Sequence, residues 1–415
     1  MSILSVVIPA YNEEQGIAAI IDRVLAIRPQ LPEAGVNDLE VIVVDDGSRD
    51  KTADIAGRYE QVCLLRHKVN QGYGAALKTG FGRARGDLLG FLDADGTYPP
   101  ESFPHLCRVA LAEKADLVIG SRMAGAESEM PMVRRIGNLV FASLVSLLSS
   151  RRVSDSASGM RVIRREVLPQ LYPLPDGLNF TPVMSTRALH EKIVMREVPI
   201  QYRERVGRSK LSVVRDGARF LKTIVWTALN YNPVRILGGL GLGLVAMAAA
   251  IGALIVGMRA FGITRLGPWG VIGVFVGALS AVSGVTLFSL GATFNYLVSL
   301  FHQRPIRQGL FGKPVFAHPL EQHFGWAGLV AMGMGLVVGI VSLILSSGGW
   351  PMERLWLYLL GAAMSLLMGL QLSVFWVIMQ VLGELSQRAG QVAEDLVGKP
   401  YHEPAEAASQ LGKSE

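Results

Sequence analysis

Apolar residues follow two different rhythms along this chain, and the change from one to the other divides it. Over residues 1–125, short runs of β-branched and large apolar residues alternate with stretches of helical spacing. Leu4–Pro9, Leu39–Val44, Val62–Arg66, Asp87–Leu92 and Asp116–Ile119 read as strands. Glu13–Ile27, Asp50–Tyr59, Gly72–Arg83 and Glu101–Glu113 read as the helices between them, with Ser48 or Asp50 as N-cap of the second. Such alternation on short links predicts an α/β domain whose mostly parallel sheet is covered by helices on both faces. From 126 to 232 the pattern loosens. Helices are expected near 131–149 and 181–191 and strand-like pieces at 160–164 and 194–202, all within the same domain.

Beyond Asn232 the rhythm changes. Val234–Met258, Trp269–Phe301, Gly325–Leu345 and Leu355–Leu382 are predominantly apolar stretches, and about 20 helical residues suffice to cross a bilayer. Four in succession predict an all-α transmembrane region of four helices. Gly241, Gly243 and Gly361-Ala362-Ala363 favour close helix packing, and Trp269, Trp326, Trp350, Trp356 and Tyr358 sit near span ends. Just before the first span, Leu211, Val214, Ala218, Leu221, Val225 and Leu229 recur at helical spacing beside Arg215, Arg219 and Lys222. This predicts an interfacial amphipathic helix. The expected organisation is therefore a domain over 1–210, the amphipathic helix over 211–232, four spans over 233–383 and a polar, disordered tail over 384–415.

Composition agrees with a membrane protein: of 415 residues, 50% are hydrophobic and only 18% charged. The net charge of +6 is concentrated at 203–222, where Arg203, Arg205, Arg208, Lys210, Arg215, Arg219 and Lys222 face only Glu204 and Asp216. A cluster there suits lipid headgroups or a diphosphate, not nucleic acid. Arg304, Arg307 and Lys313 make the 302–324 connection basic as well, so the positive-inside rule places it, both termini and the first domain in the cytoplasm. Cys63 and Cys107 have no metal or redox spacing and read as packed thiols.

The candidate chemistry lies at two strand ends. Val41–Val44 runs into Asp45-Asp46-Gly47-Ser48, and Gly90–Leu92 runs into Asp93-Ala94-Asp95-Gly96. One Asp-Gly alone marks a turn. Two acidic strand ends in one domain point to a ligand at the carboxyl edge of the sheet. Asp93 and Asp95 can turn toward a shared hard cation, Mg²⁺ or Mn²⁺, that also holds a diphosphate.

Ser5–Glu14, Val44–Ser48, Asn70-Gln-Gly-Tyr-Gly74 and Asp93–Gly96 resemble the family-2 glycosyltransferases, which have the GT-A fold. Pro99-Pro100-Glu101, Gly120-Ser-Arg122, Ser158-Gly-Met-Arg161 and Gly207–Ser212 are similar to their polyprenyl-phosphate branch, which includes dolichol-phosphate mannose synthases. The resemblance implies an inverting transfer of a sugar from a UDP- or GDP-linked donor to a dolichyl or undecaprenyl phosphate. By it, Pro9, Tyr11, Glu13, Asp45, Asp46, Gly72, Lys78, Asp93, Ala94, Arg208 and Lys210 would bind the nucleotide-sugar, and Asp93 and Asp95 the metal. Arg122, Arg134 and Arg135 would bind the acceptor phosphate, and Asp95 and Asp155 would be catalytic. Thr97 stands where many relatives carry Gln, and Thr181–Ser185 lacks a Glu that many carry in that helix.

Two other functions stay open at this stage. A lipid hydroxyl acceptor would need a general base, with Asp155 the candidate. A transport or flippase-associated protein would also have four spans, but these spans contain almost no ionisable residues for a polar pathway. A processive synthase is disfavoured because no Gln-x-x-Arg-Trp segment occurs. The sugar, the nucleotide, the lipid and the oligomeric state, homo-oligomer included, are not set by the sequence.

Overall fold

The computed structural model describes residues 2–123, 130–149, 151–191, 193–203, 213–263, 266–301 and 321–397. It divides into two units, Met1–Tyr231 and Asn232–Glu415.

The first unit contains strands β1 (Ile3–Ala10), β2 (Asp38–Asp45), β3 (Val62–Arg66), β4 (Leu88–Phe91), β5 (Leu117–Ser121), β6 (Arg161–Arg164) and β7 (Met195–Pro199). They form one sheet in the order β3-β2-β1-β4-β6-β5-β7. All neighbours are parallel except β6, which runs antiparallel to both β4 and β5. Its helices are α1 (Ile17–Ala26), α2 (Thr52–Ala56), α3 (Tyr73–Arg83), α4 (Phe103–Ala112), α5 (Met132–Ser149), α6 (Leu168–Leu171), α7 (Phe180–His190) and α8 (Val213–Tyr231). The mostly parallel α/β sheet expected from the sequence is present.

Both faces of the central strands are dry, which explains their unbroken apolar runs. Val6 and Ile8 of β1 with Val41 and Val43 of β2 pack under α1 and α4 on one face. Val7, Ile42 and Val44 pack under α3 and α7 on the other. The helices supply matching stripes: Ile17, Ile20, Ile21 and Val24 are the buried positions of α1, at i, i+3, i+4 and i+7. The expected N-cap of α2 shifts slightly. Asp50 accepts the Thr52 N–H (3.0 Å) from just outside the helix, whose formal cap is Lys51.

Helix α8 belongs to this unit and packs on α5 and α7. Phe220 meets Phe141 edge to face at 5.9 Å, Asn179 donates to Thr223 at 3.1 Å, and Tyr231 stacks on His190 at 5.0 Å. Its inward residues are Ile224, Thr227 and Ala228. The apolar stripe read from the sequence is turned outward at Ala218 and Leu221.

The second unit holds α9 (Gly239–Ala260), entered through a π-turn at Val234–Gly238, then α10 (Pro268–Phe301), α11 (Glu321–Ser347) and α12 (Met352–Val397). Four segments, Val234–Ala260, Pro268–Phe301, His323–Ser347 and Arg354–Ser386, are long and apolar enough to cross a membrane. Glycines join them in pairs: a Cβ at Gly241 would stand 2.6 Å from the Gly284 carbonyl oxygen, and one at Gly369 would stand 2.6 Å from that of Gly328. Close backbone approach is the usual basis of helix packing in lipid. The polar tail expected from 384 is helical as far as Val397, because α12 continues unbroken. Residues 398–415 and the basic 302–320 segment lie outside the described residues.

Candidate functional site

The sheet order reverses between β1 and β4, and open α/β sheets bind ligands beyond the carboxyl ends of strands at such a point. A cavity of about 580 Å³ lies there. The strand ends and their loops line it with Pro9, Tyr11, Glu13, Asp46, Asn70, Gly72, Tyr73, Asp93, Ala94, Asp95 and Arg122. Residues on and around α5 and α8 line it with Met130, Val133, Asn138, Phe141, Leu178 and Phe220. One chamber thus combines carboxylates, the guanidinium groups of Arg122 and of Arg219 on α8, and an apolar wall.

The two acidic strand ends do different work. Asp46 is buried and holds the entry to α3: its Oδ1 accepts the Gln71 N–H (2.8 Å) and its Oδ2 that of Gly72 (2.9 Å). His67 Nδ1 lies 2.7 Å from the same carboxylate, and its Nε2 lies 2.9 Å from Thr79 Oγ1. Asp45 is buried one residue earlier and is not part of the cavity wall; it accepts the Ser48 N–H at 3.2 Å and faces Arg66 at 3.8 Å. Lys78 also lies off the wall. It pairs with Asp176 and donates to the Leu174 carbonyl (3.2 Å), tying α3 to the loop before α7.

At the β4 end, Asp93 Oδ1 accepts the Tyr73 hydroxyl at 2.8 Å, and Asp95 Oδ1 accepts the N–H and Oγ1 of Thr97 at 3.2 and 2.6 Å. Thr97, the departure from the common Gln, thus steadies Asp95. Burial raises the Tyr73 pKa well above its ordinary value, and the charge of Asp93 adds to it, so the phenol stays a donor. Among the described residues no three His, Cys, Asp or Glu side chains converge to hold an ion by themselves. Two carboxylates in the cavity wall do fit a hard cation that takes its other ligands from a diphosphate and water.

Across the cavity, Arg122 and Asp155 form a bidentate ion pair, with Nε to Oδ2 and Nη2 to Oδ1 both at 2.8 Å. The Arg122 N–H adds a third bond to Oδ2 at 3.0 Å. Burial acts to raise the Asp155 pKa, but the Arg122 charge and hydrogen bonds prevail and hold the carboxyl below its ordinary value. The guanidinium also sits over the rings of Tyr98 (5.9 Å) and Tyr202 (5.5 Å). Strand β6, being antiparallel, enters from the site side, so its preceding loop delivers Asp155 and Gly159 here. Arg161 is fully buried and donates to the Ser158 and Ser156 carbonyls at 3.0 and 2.9 Å, fixing that loop. Burial lowers its pKa to about 10, which leaves it charged at neutral pH.

Arg134 and Arg135 stand on the first turn of α5. Arg135 is exposed and outside the cavity wall, while the side chain of Arg134, together with Arg208 and Lys210, lies outside the described residues. Sequence reasoning missed Tyr73, Tyr98, Tyr202 and Asn138. Tyr73 was in plain view within Asn70–Gly74; the other three are marked only by their places in the fold. Neither polar atom of the buried Asn138 amide has a hydrogen-bond partner among the described residues, the usual sign of a ligand or water position.

Residues 5–172 match the family model described as glycosyl transferase family 2, and residues 233–393 match one described as a domain of unknown function. The chain is 32% identical over 230 residues to a dolichyl-phosphate hexose transferase of Haloferax volcanii, covering 55% of this chain and 94% of that protein. It is also 32% identical over 299 residues to the low-salt glycan biosynthesis hexosyltransferase of the same organism, covering 70% and 67%. An undecaprenyl-phosphate 4-deoxy-4-formamido-L-arabinose transferase of Photorhabdus laumondii subsp. laumondii is 29% identical over 322 residues, covering 75% and 87%.

Proposed function

The chain belongs to glycosyl transferase family 2, and from that premise we propose a membrane-bound, inverting enzyme that moves one sugar from a nucleotide-sugar to a polyprenyl phosphate at the cytoplasmic leaflet. The observation that carries this reading is the single cavity in which Asp93 and Asp95, Arg122 and an apolar wall from α5 and α8 come together. A nucleoside diphosphate suits the carboxylate side when a cation is shared. A lipid phosphate suits an arginine beside apolar surface. The names of the relatives support the same acceptor class.

An oxygen of the acceptor phosphate attacks the anomeric carbon as its bond to the donor diphosphate breaks, and displacement in one step inverts that carbon. Phosphate is anionic near neutral pH, so no general base is required. Asp155, tied on both oxygens by Arg122, is suited to hold that arginine toward the acceptor. Asp93 and Asp95 would hold Mg²⁺ or Mn²⁺, which when bound neutralises charge developing on the leaving diphosphate. Pro9, Tyr11, Glu13 and Ala94 border the nucleotide in this reading, and Asp46 shapes that wall by holding Gln71 and Gly72. By the family resemblance Arg134, Arg208 and Lys210, whose side chains lie outside the described residues, are assigned to phosphate binding.

Exposed apolar residues support a seat at the membrane surface for this unit. Met132, Val133, Ile136 and Val140 on α5, and Leu221 and Trp226 on α8, are all exposed, as amphipathic interfacial helices require. The test uses purified full-length protein with mixed UDP- and GDP-sugars and a short polyprenyl phosphate. The expected product is a glycosyl phosphate by mass that mild acid cleaves. An acid-stable glycolipid overturns the acceptor assignment.

A further inference from the structure

Two segments that the chemistry above leaves partly unexplained, Asn70-Gln-Gly-Tyr-Gly74 and Ser158-Gly-Met-Arg161, meet at one carboxylate. Tyr73, the first residue of α3, donates its hydroxyl to Asp93 Oδ1 at 2.8 Å. On the other side the Asp93 carboxylate lies against the bare backbone of Gly159. A Cβ there would stand 2.5 Å from Oδ2 and 2.8 Å from both Cγ and Oδ1.

Both supports are themselves held. The backbone entering Tyr73 is fixed by Asp46 through Gln71 and Gly72, and the Asp176 carbonyl accepts the N–H groups of Gly74 (2.7 Å) and Ala75 (3.1 Å). Gly72 makes this turn at φ +106°, in the region that favours glycine. The Gly159 N–H donates to the Tyr98 hydroxyl at 2.7 Å. A carboxylate otherwise rotates broadly about its last torsion. Here one oxygen has a fixed donor and the group as a whole has a wall.

We propose that Tyr73 and Gly159 are positioning residues that set the orientation of the Asp93 carboxylate for a divalent cation. The phenol supplies the hydrogen bond, and the missing side chain supplies the space. The proposal rests on the reading of Asp93 as a cation ligand, and outer residues that orient ligands characteristically tune metal affinity.

Binding of Mn²⁺ to detergent-purified full-length protein in the presence of UDP or GDP, followed by the electron paramagnetic resonance of the unbound ion against a protein-free control with the same nucleotide, tests this apart from turnover. Tyr73→Phe is expected to weaken Mn²⁺ binding roughly tenfold or more, the range for lost outer-shell hydrogen bonds, with unchanged thermal melting. Gly159→Ala should weaken it comparably by crowding the carboxylate. Adding Tyr73→Phe to Asp93→Asn should weaken binding no further, because the phenol acts through that carboxylate. Wild-type affinity in Tyr73→Phe while Asp93→Asn loses the ion overturns the proposal alone, as does a further full loss in the double variant. Wild-type affinity in Asp93→Asn overturns the reading beneath it as well.

Discussion

Arg122 and Asp155 lie 33 positions apart in sequence and close a two-pronged ion pair at 2.8 Å on each prong, with the carboxylate wholly buried. Of the two acceptor chemistries, this pair favours the phosphate over the lipid hydroxyl. A base for a lipid hydroxyl needs an oxygen facing the acceptor and a pKa near the working pH. Asp155 has a lowered pKa and both oxygens engaged. In the proposed reading it holds Arg122 in place, and the arginine lines the cavity.

Asp155→Asn should therefore act first on folding. Removing one partner of a buried pair leaves the other charge uncompensated, at a cost of about 3–5 kcal/mol. Thermal or denaturant melting checks this. The pH dependence has a defined sign. Because the folded carboxyl titrates below its ordinary value, its contribution is complete above the unfolded pKa and is lost as pH falls through the lower folded one. Between pH 5 and 8 the wild-type rate should show no acid limb due to Asp155. A stable Asp155→Asn protein that lacks turnover, with such a limb in the wild type, would restore the base.

Asp95→Asn should lower turnover while leaving melting within a few degrees of wild type. The carboxylate is half-buried, and Thr97 can still donate to an amide oxygen in its place. Loss of cation-assisted charge stabilisation is worth several kcal/mol, on the order of a hundredfold or more in rate. Chelator should abolish wild-type activity, and Mg²⁺ or Mn²⁺ should restore it. Full activity of Asp95→Asn in chelator would remove the metal from the mechanism.

The strands were readable because burial on both faces writes continuous apolar runs; residues 41–45 of β2 are buried without a break, and the run Leu39–Val44 falls within one residue of each end of that strand. The ligand edge was readable for the same reason, since carboxylates that interrupt such runs stand at the strand ends. What the sequence concealed depends on contacts between distant segments. Lys78 is one turn into α3 and by resemblance reads as a nucleotide-sugar ligand, but the loop before α7 brings Asp176 to it. Likewise, α8 carries apolar residues on more than one face. Only its packing on α5 and α7 shows that Ile224 and Ala228 turn inward while Leu221 and Trp226 stay exposed.

Asn138→Leu should raise the apparent KM for the lipid acceptor severalfold, with little effect on that for the donor. The amide lines the cavity from α5 with neither polar atom partnered among the described residues. An apolar residue of similar size removes a buried unsatisfied group, so stability should hold or rise. Steady-state titration of each substrate, with melting alongside, reads both effects. An unchanged acceptor KM would detach Asn138 from acceptor binding.

The last prediction concerns topology. Four spans put the chain termini and the connection between the second and third spans on one side of the bilayer. Arg304, Arg307 and Lys313 lie in that connection, and the basic 203–222 segment precedes the first span. Basic residues close to span ends set orientation, which predicts that this shared side is cytoplasmic. A Gln308→Cys variant should then resist a membrane-impermeant maleimide in intact cells and react once the cells are permeabilised. Cys107 is buried and Cys63 half-buried in the first unit, so Cys63→Ser and Cys107→Ser give a silent background. Labelling of intact cells at position 308 would place the connection outside. It would then break either the count of four spans or the cytoplasmic placement of the catalytic unit, and a Cys at Ser2 labelled in parallel distinguishes the two.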